Sequence, residues 1–490
     1  MFAFFLTSGL FLGWSLGAND AANVFGTAVG SRMIKFVTAA ICCSVFVVIG
    51  SVLSGAGASH TLGKLGSVNE IAGAFIVAFA AATSVYLMTK AGYPVSTSQA
   101  IVGAIIGWNL FSGSLTDMNA LVKIVVTWVA CPVLAAVFSM ILYKVFAFLI
   151  TMAKIHMFKL DKLTRYGLVF AGIFGSYSLG ANNIANVMGV FVPVSPFSDI
   201  SFYGIFKLTS AQQLFFIGGI AIAVGVFTYS KRVMMTVGEG IMELSPVAAL
   251  IVVWSHSIVL FLFASQGLED FLTRQGLPTI PLVPVSSSQA IVGAIIGLGI
   301  LKGGRGLRWR TLSGISGGWV ATPIIAALIS FISLFFLQNV FQQQTYRPLT
   351  YTILPDAIAR IESAGIPTLE MQELIGKEFS SAVKLSNVLS KKLSLTRDER
   401  KFIIEAAEVD EIAVNKESIA RVKIDWITDS QKKAIEKMDG RVFTYKWQFD
   451  EALAEASPEW RYRAGDDKYN EDLKNKLEYI HKLFRSESSI

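Results

Sequence analysis

The sequence predicts an all-α polytopic membrane protein built from two inverted repeats, with broken or re-entrant helical hairpins and a small, mainly helical C-terminal soluble domain. Three observations predict this class. Long apolar runs fill the first 345 residues, charged residues are concentrated after them, and short polar motifs recur in the same order in each half of the apolar part. A helix needs about 20 apolar residues to cross roughly 30 Å of hydrocarbon.

Apolar runs long enough to span a bilayer occur throughout the first part of the chain. They cover residues 36–54, 71–89, 121–150, 214–229, 246–264 and 312–337. The N-terminal run, residues 1–16, has no basic residues before it, and the polar residues after it do not resemble a cleavage site. We therefore expect a first membrane helix there rather than a signal peptide.

The distribution of charge separates the apolar part from the rest. Residues 1–345 hold 18 Lys and Arg against 9 Asp and Glu, whereas residues 346–490 hold 24 against 26. The net charge of +7 thus comes from the apolar part, where Lys and Arg at helix ends orient a membrane protein. This charge balance does not indicate nucleic acid binding. Together with the apolar runs, we expect it to belong to a multi-pass protein of the cell (plasma or inner) membrane, in contact with the lipid bilayer.

Three motifs occur twice, each time in the same order. They are GANDAANV at 17–24 with GANNIANV at 180–187, PVSTSQAIVGAIIG at 94–107 with PVSSSQAIVGAIIG at 284–297, and WVACPVLAA at 128–136 with WVATPIIAA at 319–327. Repeated supersecondary units are the usual origin of such self-similarity. The apolar part therefore consists of two homologous halves.

The repeats and the change in composition divide the chain into four parts. A first transmembrane repeat covers residues 1–155, a basic connecting loop covers 156–163, and a second transmembrane repeat covers 164–340. A soluble helical domain covers 346–490, which has no spanning run and places apolar residues at helical spacing among charged ones.

The charges of corresponding loops indicate that the halves are inverted. Residues 108–120, after the first hydroxyl-rich motif, contain no Lys or Arg, whereas residues 298–310, after the second, contain four. Since basic loops stay on the inner side, these loops prefer opposite sides. Five crossings per half, with the hydroxyl segment as one short crossing, produce an inverted repeat. Ten crossings would place the soluble domain outside, together with the N-terminus.

Polar side chains at membrane depth in the GANDAAN motif indicate a cation site. An ionisable residue there is costly and functional by default, and carboxylate and amide oxygens suit a small, hard cation. We also expect the Gly-Ala pair before Asn19 to break the helix and free backbone carbonyls. A buried cap between two helices is the alternative, which the second copy disfavours. The candidate cation ligands are Asn19, Asp20, Asn23, Asn182, Asn183 and Asn186.

The hydroxyl-rich motif predicts a helix N-terminus inside the membrane. Its hydroxyls cap free N–H groups, and the helix dipole and unpaired amides there favour an anion. Hydroxyl and amide groups bind an oxyanion without adding charge. Plain helix capping is the alternative, which the near-identical second copy again disfavours. Glycines four residues apart behind each motif let helices pack closely. The candidate anion ligands are Ser96, Thr97, Ser98, Gln99, Ser286, Ser287, Ser288 and Gln289.

The remaining features indicate no further chemistry. His256 lies alone in an apolar run, where a His is typically satisfied structurally. The sequence contains no Gly-rich nucleotide loop, nucleophile elbow or metalloprotease spacing, so we predict no enzyme activity and no cofactor. The three cysteines have neither metal nor redox spacing.

The paired motifs resemble the signatures of the inorganic phosphate transporter family often called PiT, of the sodium/phosphate symporter type. The resemblance covers residues 5–340, and the soluble domain matches no family that we can name. It implies a secondary transporter, often a homodimer, in which the two halves meet around a central phosphate held by the hairpin tips. It also implies that the signature Asn and Asp residues bind coupling sodium ions, or handle protons in some bacterial members.

The chain departs from the family pattern in both motifs. Many members have Asp where this chain has Asn183, and many have His where it has Gln99 and Gln289. The number of coupled cations and the choice of sodium or proton thus stay open. The leading hypothesis is import of inorganic phosphate coupled to sodium by alternating access. The alternatives are a permease for sulfate or another tetrahedral oxyanion, and a passive anion channel.

Overall fold

The computed structural model describes residues 2–66, 68–197, 200–202, 206–304, 306–393, 395–420, 422 and 427–485. The chain forms two compact units. One, here called the membrane unit, comprises Met1–Phe111 and Thr116–Tyr346, and the other, the C-terminal unit, comprises Ser112–Leu115 and Arg347–Ile490.

Helices make up nearly all of the first half of the membrane unit. They are α1 (Phe2–Gly30), α2 (Phe36–Ser54), α3 (Ala56–Leu65), α4 (Ile71–Ala91), α5 (Thr97–Ser112) and α6 (Met118–Ala153). Local signals set several of their ends. The side chain of Asp117 accepts the N–H groups of Asn119 and Ala120 and so caps α6, while Gly92 ends α4 in the left-handed region at a φ of 84°.

The second half repeats this series of helices. They are α7 (Met157–Met188), α8 (Ser210–Tyr229), α9 (Lys231–Glu239), α10 (Pro246–Leu262), α11 (Gln266–Arg274), α12 (Ser287–Leu301) and α13 (Trp309–Asn339). A 3₁₀ turn at Gly189–Phe191 and an antiparallel pair of strands, β1 (Ile200–Phe202) and β2 (Phe206–Leu208), lie between α7 and α8.

The connection between the halves is shorter than predicted. Helix α7 begins at Met157, so the basic loop predicted at residues 156–163 is wrong for all but its first residue. The chain turns at Lys154, which has a φ of 44°, and His156 caps α7 by accepting the N–H group of Phe158. The basic residues of this region therefore lie on the first turns of a helix.

Six helices of the described chain are long and apolar enough to cross a membrane, namely α1, α2, α4, α6, α8 and α13. The pair α10 and α11, bent by 65° at its break, makes a seventh span if it is counted as one. The hydroxyl-motif helices α5 and α12 have 16 and 15 residues, or about 24 and 22 Å at 1.5 Å per residue, less than the hydrocarbon thickness. The predicted all-α polytopic class is confirmed.

Each signature helix packs against a helix of the opposite half. A Cβ atom on Gly17 of α1 would lie 2.0 Å from the carbonyl oxygen of Ile222 in α8. A Cβ atom on Gly180 of α7 would lie 2.2 Å from the carbonyl oxygen of Val47 in α2. Because Gly17 and Gly180 are equivalent positions of the repeat, the contacts are reciprocal, as in a two-fold arrangement.

The signature helices are continuous, which corrects the expected break. Helix α1 runs through GANDAAN from Phe2 to Gly30, and α7 runs through GANNIAN to Met188. The glycine before each motif is required for close contact with the neighbouring backbone rather than for an interruption of the helix. The polar side chains of the motif, and not freed backbone carbonyls, therefore face the interior.

The hydroxyl-motif helices also pack against the opposite half. A Cβ atom on Gly103 of α5 would lie 2.1 Å from the carbonyl oxygen of Pro323 in α13, and one on Gly293 of α12 would lie 2.3 Å from that of Pro132 in α6. The prediction that these glycines permit close helix packing is confirmed. The third repeated motif, WVACP or WVATP, supplies the partner surface.

The C-terminal unit is mainly helical, as predicted. Its helices are α14 (Pro355–Ser363), α15 (Ala382–Lys392), α16 (Arg397–Ala407), α17 (Lys416–Ala420), α18 (Asp429–Glu436), α19 (Lys446–Ala456) and α20 (Asp467–Phe484), with 3₁₀ turns at Leu369–Leu374 and Pro458–Trp460. Strand β3 (Thr350–Thr352) pairs antiparallel with β4 (Glu378–Phe379) and β5 (Glu408–Val409), and β6 (Ile412–Ala413) pairs with β7 (Val442–Phe443).

A buried ion cluster ties the end of α20 to the rest of the C-terminal unit. The Asp410 side chain, 2% exposed, accepts a hydrogen bond from Nε of Arg485 at 2.8 Å and lies 2.8 Å from Nζ of Lys446. Burial alone would raise the pKa of Asp410, but Arg485 and Lys446 outweigh it and hold that pKa below the usual range. The unit thus has a polar anchor as well as apolar clusters.

Candidate functional site

The fourteen predicted ligand residues are buried in the membrane unit. Each of them is at most 4% exposed. Hydrogen bonds within and between the four polar motifs connect many of them. Burial of so many polar side chains is costly unless they are paired or bind a ligand. The region is therefore a candidate binding site closed to solvent in this conformation.

Asn19 and Asn182 hold the extended segments that precede the hydroxyl-motif helices. Oδ1 of Asn19 accepts the N–H of Val95 at 3.0 Å, and its Nδ2 donates to the carbonyl of Tyr93 at 3.0 Å. Oδ1 of Asn182 accepts the N–H of Val285 at 2.8 Å. Each of these oxygens accepts a backbone N–H group and so uses one of its two lone pairs to hold a hairpin. They position the two hairpins.

The first hydroxyl of each triplet caps its helix. Oγ of Ser96 accepts the N–H of Gln99 at 3.2 Å, and Oγ of Ser286 accepts the N–H of Gln289 at 3.2 Å. Ser288 lies 3.0 Å from Ser286, measured between the Oγ atoms. Ser96 and Ser286 therefore act as helix caps, which was the alternative interpretation of the motif. The hydroxyls that follow them in each triplet are the better candidates for binding a ligand.

Ser98 joins the first hydroxyl triplet to the signature of the second half. Nδ2 of Asn186 donates to Oγ of Ser98 at 2.8 Å and to Oδ1 of Asn183 at 2.9 Å. The Ser98 hydroxyl in turn lies 3.3 Å from Oδ1 of Asn183 and 3.0 Å from the carbonyl oxygen of Val285. Ser98 thus contacts both the opposite signature and the opposite hairpin.

Ser287 makes the corresponding contact in the other direction. Its hydroxyl donates to the backbone carbonyl of Asp20 at 3.1 Å and accepts from Nδ2 of Asn23 at 3.4 Å. Each triplet therefore reaches across to the signature of the other half. The sequence predicted the two kinds of motif but gave no indication of which signature meets which triplet.

The carboxylate of Asp20 lies at the N-terminus of α5. Its Oδ2 accepts the N–H of Thr97, the first residue of that helix, at 3.3 Å, where the helix dipole favours negative charge. Within the described part of the chain, no donor reaches Asp20 Oδ1, Asn23 Oδ1 or Thr97 Oγ1. Two of these atoms are acceptor oxygens, and the third is a hydroxyl that can donate to the carboxylate or turn its lone pairs towards a cation. Buried oxygens of this kind beside an ionisable group suit a hard cation.

Three amide oxygens form a second set of buried acceptors. No donor in the described residues reaches Oε1 of Gln99, Oε1 of Gln289 or Oδ1 of Asn186. Such acceptors are costly to bury unless a ligand supplies a hydrogen-bond donor. The site can therefore accept hydrogen bonds from a protonated oxyanion as well as donate to one.

His256 of α10 contacts a candidate ligand residue, although the sequence analysis did not select it. Its Nε2 lies 2.9 Å from Oγ of Ser287. In the tautomer that carries its proton on Nε2, His256 donates to Ser287, and the Ser287 proton goes to the Asp20 carbonyl. Nδ1 of His256 has no partner among the described residues. The available signal was that His256 is the one ionisable residue in the apolar run 246–264.

A sequence profile described as the phosphate transporter family matches residues 16–269 and 275–472. The match continues well beyond residue 340, into the C-terminal unit. This corrects the expectation that the soluble domain matches no known family.

Curated relatives and a solved structure each match about two thirds of the chain. A protein of Methanocaldococcus jannaschii, provisionally named a phosphate permease, is 31% identical over 322 residues, which are 65% of this chain and 91% of the relative. The sulfate permease of Bacillus subtilis is 29% identical over 329 residues, 66% of this chain and 84% of that protein. A structure titled "The sodium-dependent phosphate transporter" has a TM-score of 0.54 at 23% identity, covering 69% of this chain and 98% of its own, and shows a shared fold.

Proposed function

This chain belongs to the phosphate transporter family, and from that membership we propose that it imports inorganic phosphate together with sodium by alternating access across the cell membrane. The resemblance found in the sequence is confirmed by the family match. The observation that carries the proposal is the reciprocal contact of the two hydroxyl triplets with the two signatures, beside a buried carboxylate.

Asp20, Asn23 and Thr97 are the proposed sodium ligands. Their unpaired oxygens, Oδ1, Oδ1 and Oγ1, are buried and include one negative charge. A sodium ion would neutralise the carboxylate and supply the charge that these oxygens need in a low-dielectric interior. We assign Asn19 and Asn182 to the positioning of the hairpins instead.

Apart from the Thr97 side chain, which is assigned to sodium, the hydroxyl triplets and their glutamines are the proposed phosphate site. The helix N-termini of α5 and α12 supply N–H groups and the positive ends of two dipoles. None of the fourteen candidate residues is Lys or Arg, so the charge balance of the anion depends on the accompanying cation. The membrane potential opposes anion entry by about 2.3 kcal/mol per charge per 100 mV, which favours cotransport over a passive channel.

The unpaired amide oxygens favour phosphate over sulfate. Phosphate carries at least one hydroxyl donor near neutral pH, whereas sulfate carries none. Oε1 of Gln99 and Oε1 of Gln289 are buried acceptors suited to such a donor. Transport of sulfate is the second candidate, supported by the similarity to the sulfate permease of Bacillus subtilis.

Alternating access requires that the two triplets separate. Among the described residues, the hydrogen bonds that link each triplet to the opposite half are those of Ser98 to Asn183, Asn186 and Val285, those of Ser287 to Asn23 and Asp20, and that of Cys131 to Ser286. Each typically contributes about 0.5–1.5 kcal/mol, so separating the triplets from their partners has a modest cost. Helices that are joined across the halves by close glycine contacts, such as α5 and α13, would move together.

Uptake of radiolabelled phosphate into proteoliposomes holding the full chain tests the proposal. We expect accumulation above equilibrium when sodium is high outside, and loss of accumulation when potassium replaces sodium or an ionophore collapses the gradient. Excess sulfate should inhibit weakly. Equal uptake without sodium would contradict the coupling, strong sulfate inhibition would contradict the substrate, and equilibration without accumulation would indicate a channel.

Replacing His256 by Leu should weaken phosphate uptake by roughly 3- to 10-fold, mainly through KM, because Ser287 loses one donor. His256→Gln, whose Nε2 amide can donate in place of the ring nitrogen, should restore most of the loss. Initial rates at several phosphate concentrations, with the amount of folded protein measured in parallel, separate KM from kcat. An unchanged KM in His256→Leu, or no rescue by Gln, would contradict the positioning role.

A further inference from the structure

The two signatures differ in one charged side chain and in how their polar atoms are bonded. GANDAAN carries Asp20 where GANNIAN carries Asn183. We propose that only the first signature binds a cation, so that one sodium ion is transported with each phosphate. The second signature is then a neutral clamp, meaning that its amide groups hold Ser98 by hydrogen bonds and bind no ion. The inference rests on the proposed function and specifies its stoichiometry.

The first signature leaves acceptors open. Asp20 accepts the N–H of Thr97 on Oδ2, and the Thr97 hydroxyl lies beside the same carboxylate. In the described residues, Asp20 Oδ1 and Asn23 Oδ1 have no well-aligned donor, and Thr97 Oγ1 has lone pairs free for a cation. The amide of Asn23 is oriented so that its nitrogen donates to Ser287, which turns its oxygen away from that hydroxyl. All three open atoms are oxygens, and the group carries one negative charge.

The second signature is closed at the equivalent position. Oδ1 of Asn183 accepts a hydrogen bond from Nδ2 of Asn186 at 2.9 Å. The Ser98 hydroxyl lies 3.3 Å from the same oxygen and 3.0 Å from the carbonyl oxygen of Val285, and it can donate its one proton to either of them. The atom of Asn183 left without a partner in the described chain is Nδ2, a donor that repels a cation. Asn186 Oδ1 is open, but it is a single neutral oxygen and does not form a cation site by itself.

The clamp has a structural task that accounts for its neutrality. Asn186 donates to Ser98, and Ser98 contacts the carbonyl oxygen of Val285 at 3.0 Å, so the second signature ties the first triplet to the second hairpin. A neutral amide pair can form this contact again each time the site closes, whether or not a cation is present. A carboxylate at residue 183 would instead demand a counter-charge in a buried place.

The ratio of sodium to phosphate flux tests the inference. Proteoliposomes holding the full chain would be given labelled sodium and labelled phosphate in parallel, and initial rates compared. The wild-type chain should move sodium and phosphate at a ratio of about one, with a hyperbolic dependence on sodium. Asn183→Asp should double the ratio and make the sodium dependence sigmoidal, whereas Asn183→Ala, which removes the clamp without adding charge, should lower the rate and leave the ratio unchanged.

The outcomes separate this inference from the proposed function. Sodium-independent uptake by the wild-type chain would remove the coupling itself. Sodium-dependent uptake by the wild-type chain at two sodium ions per phosphate would leave the coupling intact and overturn the single-site inference. This measurement does not depend on the folding of any variant. An unchanged ratio in a well-folded Asn183→Asp protein would also overturn it, because the added carboxylate would then have recruited no ion.

Discussion

Replacing Asp20 by Asn is expected to abolish sodium-driven phosphate accumulation. The substitution keeps the size of the side chain and removes the charge beside two other open oxygens. Loss of one partner of a buried charge pair costs about 3–5 kcal/mol, or roughly 100-fold or more in sodium affinity. Uptake of labelled phosphate by proteoliposomes over a wide range of sodium concentrations measures the effect.

Asp270→Asn is the matched control for this experiment. Asp270 is an exposed residue of α11 and lies outside the polar motifs. The same change from Asp to Asn at this position should leave the sodium dependence of phosphate uptake unchanged. A sodium dependence of Asp20→Asn equal to that of the wild-type chain would show that Asp20 does not bind the coupling ion.

Gly103→Val is expected to destabilise the membrane unit and eliminate transport. The new Cβ atom would lie 2.1 Å from the carbonyl oxygen of Pro323, a backbone atom that cannot rotate away. Helices α5 and α13 would have to separate, at a cost of about 3 kcal/mol, and the displaced α5 would carry the hydroxyl triplet with it. The midpoint of thermal unfolding of the purified protein should fall by several degrees.

Gly267→Val provides the control for the glycine substitution. Nothing lies within 4 Å of a Cβ atom at Gly267 in α11, so the same change there should leave the unfolding midpoint and transport near wild type. A Gly103→Val protein with an unchanged midpoint would refute the close contact between α5 and α13.

Much of the membrane fold could be predicted because its signals are local. Apolar runs gave the long helices, the hydroxyl residues before Gln99 and Gln289 marked two helix starts, and the Gly residues four apart indicated close packing. The errors arose where one local signal has two physical causes. A glycine at residue 17 suits both a helix break and a close helix contact, and only the position of α8 distinguishes them.

Parts of the candidate site depend on long-range geometry. The composition of the motifs indicated polar ligands, but Asn19 and Asn23 are the same residue type four positions apart and have different partners. His256 looked like a solitary buried side chain until α10 placed it beside Ser287, 31 positions away. The residue type alone does not reveal which of several identical side chains will form a hydrogen bond with a residue that is distant in the sequence.

By itself the sequence determined the class of the protein, its two halves, its polar motifs and its family, because hydropathy, repetition and residue chemistry are properties of short segments. The tertiary structure alone decided that each triplet meets the signature of the opposite half, and that Asp20 keeps Oδ1 open while Asn183 accepts a hydrogen bond on its oxygen. The physical reason is that hydrogen bonds are directional and short. Their pairing is set only when helices far apart in the chain have packed to within about 3 Å of one another's polar atoms.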